Sequence, residues 1–202
     1  MKSGLKTLLI ILGVVFVLGF MVYRFFVGNY NKMVELDEGV KAAWGQVENQ
    51  YQRRMDLVPN LVATVKGYAG HEAQVLTEVT QARAKAGGVM DVSDEVLNNP
   101  EAFEKFQKAQ SQLSGALQRL LVVTENYPDL KASENFLALQ DQLEGTENRI
   151  STERRRFNET VKTYNTFIRK FPASIIANMN GFTVKSVFKA TEGADTAPKV
   201  EF

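Results

Sequence analysis

Tyr51-Gln52-Arg53-Arg54-Met55-Asp56-Leu57-Val58-Pro59-Asn60-Leu61-Val62-Ala63-Thr64-Val65 is the stretch on which the fold turns. Its apolar positions 51, 55, 58, 62 and 65 step by three and four, the spacing of one helix face. The phase passes through Pro59 with hardly a shift, yet proline removes a ladder donor and crowds the preceding turn. Pro59 therefore either ends a helix or kinks one. If it ends one, the chain after residue 28 reads as four helices, about 31–57, 60–86, 101–127 and 130–171, in an antiparallel up-down four-helix bundle. If it kinks one, two long kinked helices form a hairpin with its tip at 87–99. The bundle is preferred, because four segments bury their stripes mutually while a lone hairpin leaves much apolar surface wet.

Outward from that stretch the same periodicity continues. Val40, Trp44 and Val47 precede it, and Tyr68, Ala69, Val75, Leu76 and Val79 follow, up to Gly87-Gly88. Further series are Phe103, Phe106, Leu113, Leu117, Leu120, Leu121 and Tyr127, then Leu139, Leu143, Ile150, Phe157, Val161, Tyr164, Ile168 and Phe171. No strand alternation competes, so the class is all-α. Asn99-Pro100-Glu101 reads as a helix start, with Asn as cap, Pro at the first helical position and an acid against the dipole. Tyr127-Pro128 and Phe171-Pro172 read as stops, since proline disfavours helical geometry in the residue before it. Residues 87–99 form one long loop, with Ser93-Asp94-Glu95 starting a short helical turn.

At the other end, residues 7–23 read Thr-Leu-Leu-Ile-Ile-Leu-Gly-Val-Val-Phe-Val-Leu-Gly-Phe-Met-Val-Tyr without a charge. Extended to residue 27, the run reaches about 30 Å at ~1.5 Å per residue, the hydrocarbon thickness of a bilayer. A basic leader (1–6, with Lys2 and Lys6) precedes it, as in a secretory signal. The closest cleavage-like triplet, Val17-Leu18-Gly19, is followed by more apolar residues, so a retained transmembrane anchor at 7–27 is preferred. Tyr23, Phe25, Phe26 and Tyr30 supply an interfacial aromatic belt, and Arg24 can snorkel to water. Basic residues nearly balance across the span. The leader is assigned to the cytoplasm and the domain at 28–190 to the exported side of a bacterial inner membrane, with a cytoplasmic domain as the alternative. Residues 191–202 read as a flexible tail.

The 202 residues carry a net charge of +1 and no cysteine. Near-neutrality argues against a nucleic-acid partner. Absent cysteine removes disulfides, thiolate metal sites and cysteine nucleophiles. His71 is the single histidine. His71-Glu72-Ala73-Gln74-Val75 opens like a zinc-protease helix but lacks its second histidine, and a di-iron bundle needs two Glu-x-x-His repeats. No phosphate loop or nucleophile elbow is present. No catalytic residue, cofactor or metal ligand is assigned.

Polar residues lie beside the apolar stripes instead. Arg54, Glu72, Glu125, Glu147 and Arg154 are expected to form an inward ionic layer, with Arg54 and Arg154 joined to Glu125 or Glu147. A half-buried charge is costly unless paired. The layer either specifies register between similar helices or forms a ligand groove. An even number of helical passes returns the chain near Pro172 toward the membrane. Ile175, Ile176, Met179 and Phe182 are therefore expected in the headgroup zone or against the first residues after the anchor; alternatively the segment is a capping turn.

Several patterns carry a resemblance: the stretch from Arg53 to Val62, Lys66-Gly67-Tyr68-Ala69-Gly70-His71-Glu72, Glu125-Asn126-Tyr127-Pro128-Asp129-Leu130-Lys131, Thr146-Glu147-Asn148-Arg149-Ile150, Arg154 with Phe157-Asn158, Tyr164-Asn165, Phe171-Pro172 and Pro198-Lys199-Val200. Together they resemble the LemA family of bacterial membrane proteins over essentially the whole chain. Phe157 stands where the family has Tyr, so no hydroxyl role transfers there. The resemblance implies a single-pass anchor plus a four-helix bundle, and association with other membrane or envelope proteins, without a transferable activity or substrate. The expected function is a membrane-anchored scaffold or adaptor for an envelope protein. The alternative is a self-associating protein that organises or shapes lipid. The expected partners are the bilayer, a protein of the envelope and a second copy of the chain.

Overall fold

The computed structural model describes residues 3–69, 72–90 and 93–189. Their regular structure is entirely helical: α1 (Ser3–Tyr68), α2 (Ala73–Met90), α3 (Ser93–Asn98), α4 (Pro100–Thr124), α5 (Pro128–Lys131), α6 (Glu134–Arg169) and α7 (Ala173–Asn180). The first 2 residues, 70–71, 91–92 and the tail from residue 190 lie outside the described residues, and with them His71 and the expected flexible tail.

Pro59 neither ends a helix nor separates two. It lies inside the 66 residues of α1, so the boundary expected between 57 and 60 is absent. The physical reason is a substitute donor. Proline at 59 has no N–H for the carbonyl four residues back, and Arg83 Nε of α2 donates to that Met55 oxygen at 2.9 Å. Val58 and Leu61 on either side are buried, and packing of this kind, worth ~1.5–3 kcal/mol per side chain, offsets the ~3 kcal/mol of an interior proline. The break comes later. Ala69 N–H still reaches the Val65 carbonyl at 2.8 Å, but Glu72 N–H bonds Ala69 O at 3.1 Å, three positions back instead of four, and the ladder of α1 has stopped. The helix expected over 60–86 is thus the end of α1 plus α2. Gly87-Gly88 lies within α2 rather than at its end.

Asn99 caps α4, its Oδ1 accepting from Glu101 N at 2.9 Å and Ala102 N at 3.3 Å. Much of the expected 87–99 loop is helical, as the end of α2 and as α3. Helix α4 stops at Thr124 and α6 at Arg169, each a few residues before the proline that forbids continuation. Gly181, at φ 76°, closes α7 in the left-handed region that suits glycine.

The chain divides into two compact units, Met1–Val40 with Lys162–Val184, and Lys41–Val161 with Lys185–Phe202. Buried side chains of the first include Met33, Val40, Tyr164, Ile168, Ile176 and Ala177. The core of the second draws Met55, Val58, Leu61 and Val65 from α1, Leu76, Val79 and Ala82 from α2, Leu113, Leu117 and Leu120 from α4, Leu130 from α5, and Phe136 and Leu143 from α6.

Candidate functional site

In the first unit, α1 opens with a surface that no protein group covers. It is the one helix among the described residues long and apolar enough to cross a membrane, and none of its apolar window is buried. Leu8 to Leu12, Val14 to Leu18 and Phe20 to Tyr23 are all exposed, Phe16 at 74%. Such a patch far exceeds the few hundred Å² that water-facing proteins leave bare.

The same unit carries α7. Ile176, 1% exposed, is a core residue there together with Ala173 and Ala177, so of the two placements expected for it, headgroup zone or packing against protein, the headgroup zone does not hold. On a helix, 173, 176 and 177 share one face, and 175 and 179 lie opposite. Ile175 and Met179 are exposed, as is Phe171 at 82%. Phe182 packs edge-on against Tyr30, ring centroids 5.9 Å apart, so the segment after α7 meets the first turns beyond the apolar run. Tyr164 Oη donates to Thr183 O at 3.1 Å. Burial, reinforced by the Asp37 carboxylate, pushes the Tyr164 phenol up to about 12.

In the second unit, Arg54 is 1% exposed. It donates to Glu147 Oε1 at 2.8 Å, Ser114 Oγ at 2.7 Å, and the side-chain and main-chain oxygens of Gln110 at 2.6 and 3.3 Å. Its guanidinium also lies 5.1 Å from the Tyr51 ring centre. Burial raises the Tyr51 phenol, against the opposing pull of Arg154 and Arg54. The structure thus joins Arg54 to Glu147 but leaves the other expected members elsewhere. Glu125, beyond the last turn of α4, pairs at the surface with Lys131. Glu72 accepts from Tyr127 Oη at 2.9 Å, a bond that raises the Tyr127 phenol. Arg154 stacks on Phe188 at 4.5 Å. The helical phase used for Glu72 and Glu125 fails because neither lies within a helix. Gln110 shared the inward phase of these charges in the sequence, whereas Ser114 gave no signal, since a small uncharged polar residue beside a stripe is not distinctive.

A second feature escaped the sequence reading. Trp44 on α1 meets Phe106 at 5.1 Å and Phe103 at 5.9 Å on α4, Phe157 at 5.4 Å on α6, and Phe188 of the non-helical stretch after α7 at 6.0 Å. Asn158, next to Phe157, clamps the main chain of Phe188: its Nδ2 donates to the carbonyl and its Oδ1 accepts from the N–H, both at 2.9 Å. An open groove of about 610 Å³ between α2 and α4 is lined by Lys85, Lys108 and Arg119, with Arg119 held by Glu78. Among the described residues, no group of three or more His, Cys, Asp or Glu is placed to hold a metal.

A model of the LemA family matches residues 43–202. The chain is 26% identical over 183 residues to "Magnetosome protein MamQ" of Magnetospirillum gryphiswaldense, covering 83% of this chain and 67% of the relative. It is 27% identical, with the same coverage, to "Magnetosome protein MamQ 2" of Paramagnetospirillum magneticum. To "Protein LemA" of Metamycoplasma hominis it is 23% identical over 191 residues, 94% of this chain and 82% of the relative.

Proposed function

We propose that this chain, which belongs to the LemA family, is a membrane-anchored, non-catalytic scaffold or adaptor that presents a helical surface to another protein of the bacterial envelope. The observation that carries the reading is the wholly uncovered apolar run at the start of α1. A bilayer supplies the apolar surroundings that the rest of the chain withholds. The helices are taken to form an antiparallel up-down four-helix bundle. The meeting of α1, α4 and α6 at Trp44 supports that arrangement.

The exposed Phe171, Ile175 and Met179, with Arg169 and Lys170 exposed beside them, are taken to rest at the bilayer surface, apolar side chains in the headgroup zone and cations toward phosphate. The soluble part is placed on the exported side of the inner membrane. Cysteines introduced separately at Ser3 and Ser93 test this, because the chain has no native thiol. Labelling of intact cells by an impermeant reagent at Ser93 alone supports the placement, and at Ser3 alone reverses it.

The adaptor role is tested by gentle cross-linking followed by pull-down from detergent, with the full chain and with residues 1–27 deleted. A specific membrane protein recovered with the full chain is expected. Recovery of the chain alone from both samples overturns the reading.

A further inference from the structure

The open groove between α2 and α4 is basic. Lys85 on α2 and Lys108 and Arg119 on α4 line it, against the single carboxylate of Glu78 among its lining residues, an excess of two positive charges. Glu78 is taken up by Arg119. Lys85 and Lys108 are exposed, and among the described residues neither is paired with an acid. Lys108 and Arg119 stand about 16 Å apart along α4 at ~1.5 Å per residue. A Cβ at Gly115, between them, would meet only the Arg119 guanidinium, at 3.9 Å, so the space over that turn is left unfilled by the described residues.

The chain delivers an acidic segment to this place. Lys189, the last residue described before the tail, is pinned: its carbonyl accepts from Gln107 Nε2 at 3.3 Å and Arg154 Nη2 at 3.4 Å, and Asn158 holds Phe188 before it by both main-chain groups. Gln107 is the neighbour of Lys108 on α4. The tail therefore leaves the described structure one residue from the groove's lining. Residues 190–202 carry Glu192, Asp195 and Glu201 against Lys199, three acids to one base, which matches the groove in size and opposes it in sign. Thirteen residues reach at most ~45 Å, enough to cross α4, ~10–12 Å wide with its side chains, and run the length of the groove. Glu192, three residues past the pinned carbonyl, can come to Lys108 within ~10 Å of chain.

We propose that residues 190–202 dock in the α2–α4 groove of their own chain, with Glu192, Asp195 and Glu201 facing Lys85, Lys108 and Arg119. Exposed ion pairs are individually weak, but the short tether gives the tail an effective concentration of order mM, so a low intrinsic affinity holds it. Salt screens such pairs, and the seat opens as ionic strength rises. An acidic segment of another molecule reaches these cations only by displacing the tail, which makes the tail a built-in competitor for the groove. The proposal goes beyond the adaptor reading and stands without it.

The test uses the full-length chain in vesicles of phosphatidylcholine, whose neutral surface does not compete for lysines. Spin labels are attached through Gln112→Cys and Ala197→Cys, since the chain has no native thiol, and the labelled protein is diluted with an excess of unlabelled protein before distances are read by pulsed dipolar spectroscopy. A narrow, short-distance population is expected at low salt, falling several-fold at high salt and in the Lys85→Glu, Lys108→Glu protein. Adding Glu192→Lys and Asp195→Lys to that protein should restore it, which separates lost charge pairing from misfolding. A broad distribution that salt and the charge changes leave alone overturns the proposal. So does a short distance that ignores salt and charge, and so does one that disappears on dilution, because the groove then takes the tail of a second copy.

Discussion

Arg83 Nε donates to the Met55 carbonyl at 2.9 Å, filling the helical position that Pro59, four residues on, leaves without a donor. A buried acceptor stripped of its partner costs ~1–3 kcal/mol. Arg83→Ala should therefore destabilise the chain by about that much. In a Pro59→Ala background the ladder has its own N–H again, so the same change should cost clearly less, and Pro59→Ala alone should stabilise. Denaturant midpoints of the four proteins give the coupling directly. A cycle that closes with no interaction energy shows that Arg83 does not carry α1 through the proline.

The Arg54–Glu147 ion pair makes a prediction of opposite design. Arg54 is 1% exposed and Glu147 is 38% exposed. Removing Glu147 leaves a buried cation with neutral acceptors alone, and breaking such a pair costs ~3–5 kcal/mol. Because Glu147 is open to water, Glu147→Ala is expected near the lower end. Removing both charges with Arg54→Met and Glu147→Ala should recover part of the loss, since an apolar side chain in that space carries no desolvation cost. Thermal and urea unfolding measure it, and a double variant no better than Glu147→Ala defeats the expectation.

These two contacts show how far the sequence carried the fold. The all-helical class and the uncovered run at 7–23 followed from spacing and the absence of charge, which are local. The Asn99 cap and the stops before Pro128 and Pro172 were local too. Pro59 was read by its intrinsic cost, and the compensating donor sits 28 residues away in another helix, where no local rule looks. Arg54 and Glu147 were legible because two opposite charges fell at inward phase. Arg154 misled for the same reason: its phase was inward, but a non-helical segment with no periodicity fills the space and offers Phe188 instead of a carboxylate.

Two buried phenols give a pH dependence. Tyr164 is pushed up to about 12 and Tyr51 is raised, both chiefly by burial. An unfolded tyrosine releases its proton near pH 10. Between that value and about 12 the unfolded chain has lost protons that the folded chain keeps, so unfolding releases protons and stability falls as pH rises. Below pH ~10 neither phenol contributes a slope. Stability measured across the alkaline range should be level up to about pH 10 and decline above it. Tyr164→Phe should soften the decline, although it also forfeits the bond to Thr183 O. A decline of equal steepness in Tyr164→Phe and Tyr51→Phe proteins excludes these groups as its source.

Contact of α7 with lipid is the remaining expectation, and the burial pattern chooses where to measure it. Ile176 is enclosed by protein at 1% exposure and reports nothing about lipid, whereas Ile175 at 51% and Met179 at 69% share the open face. Full burial of such side chains in an apolar phase is worth ~1.5–3 kcal/mol each, and a headgroup-depth contact some fraction of that. With Ile175→Cys or Met179→Cys carrying an environment-sensitive fluorophore, lipid-borne quenchers in reconstituted bilayers should quench the probe to a degree approaching one placed by Phe25→Cys at the edge of the apolar run. The same thiols should react slowly with a charged reagent. Fast reaction and no quenching at both positions would mean that α7 faces water, leaving α1 as the chain's sole hold on the membrane.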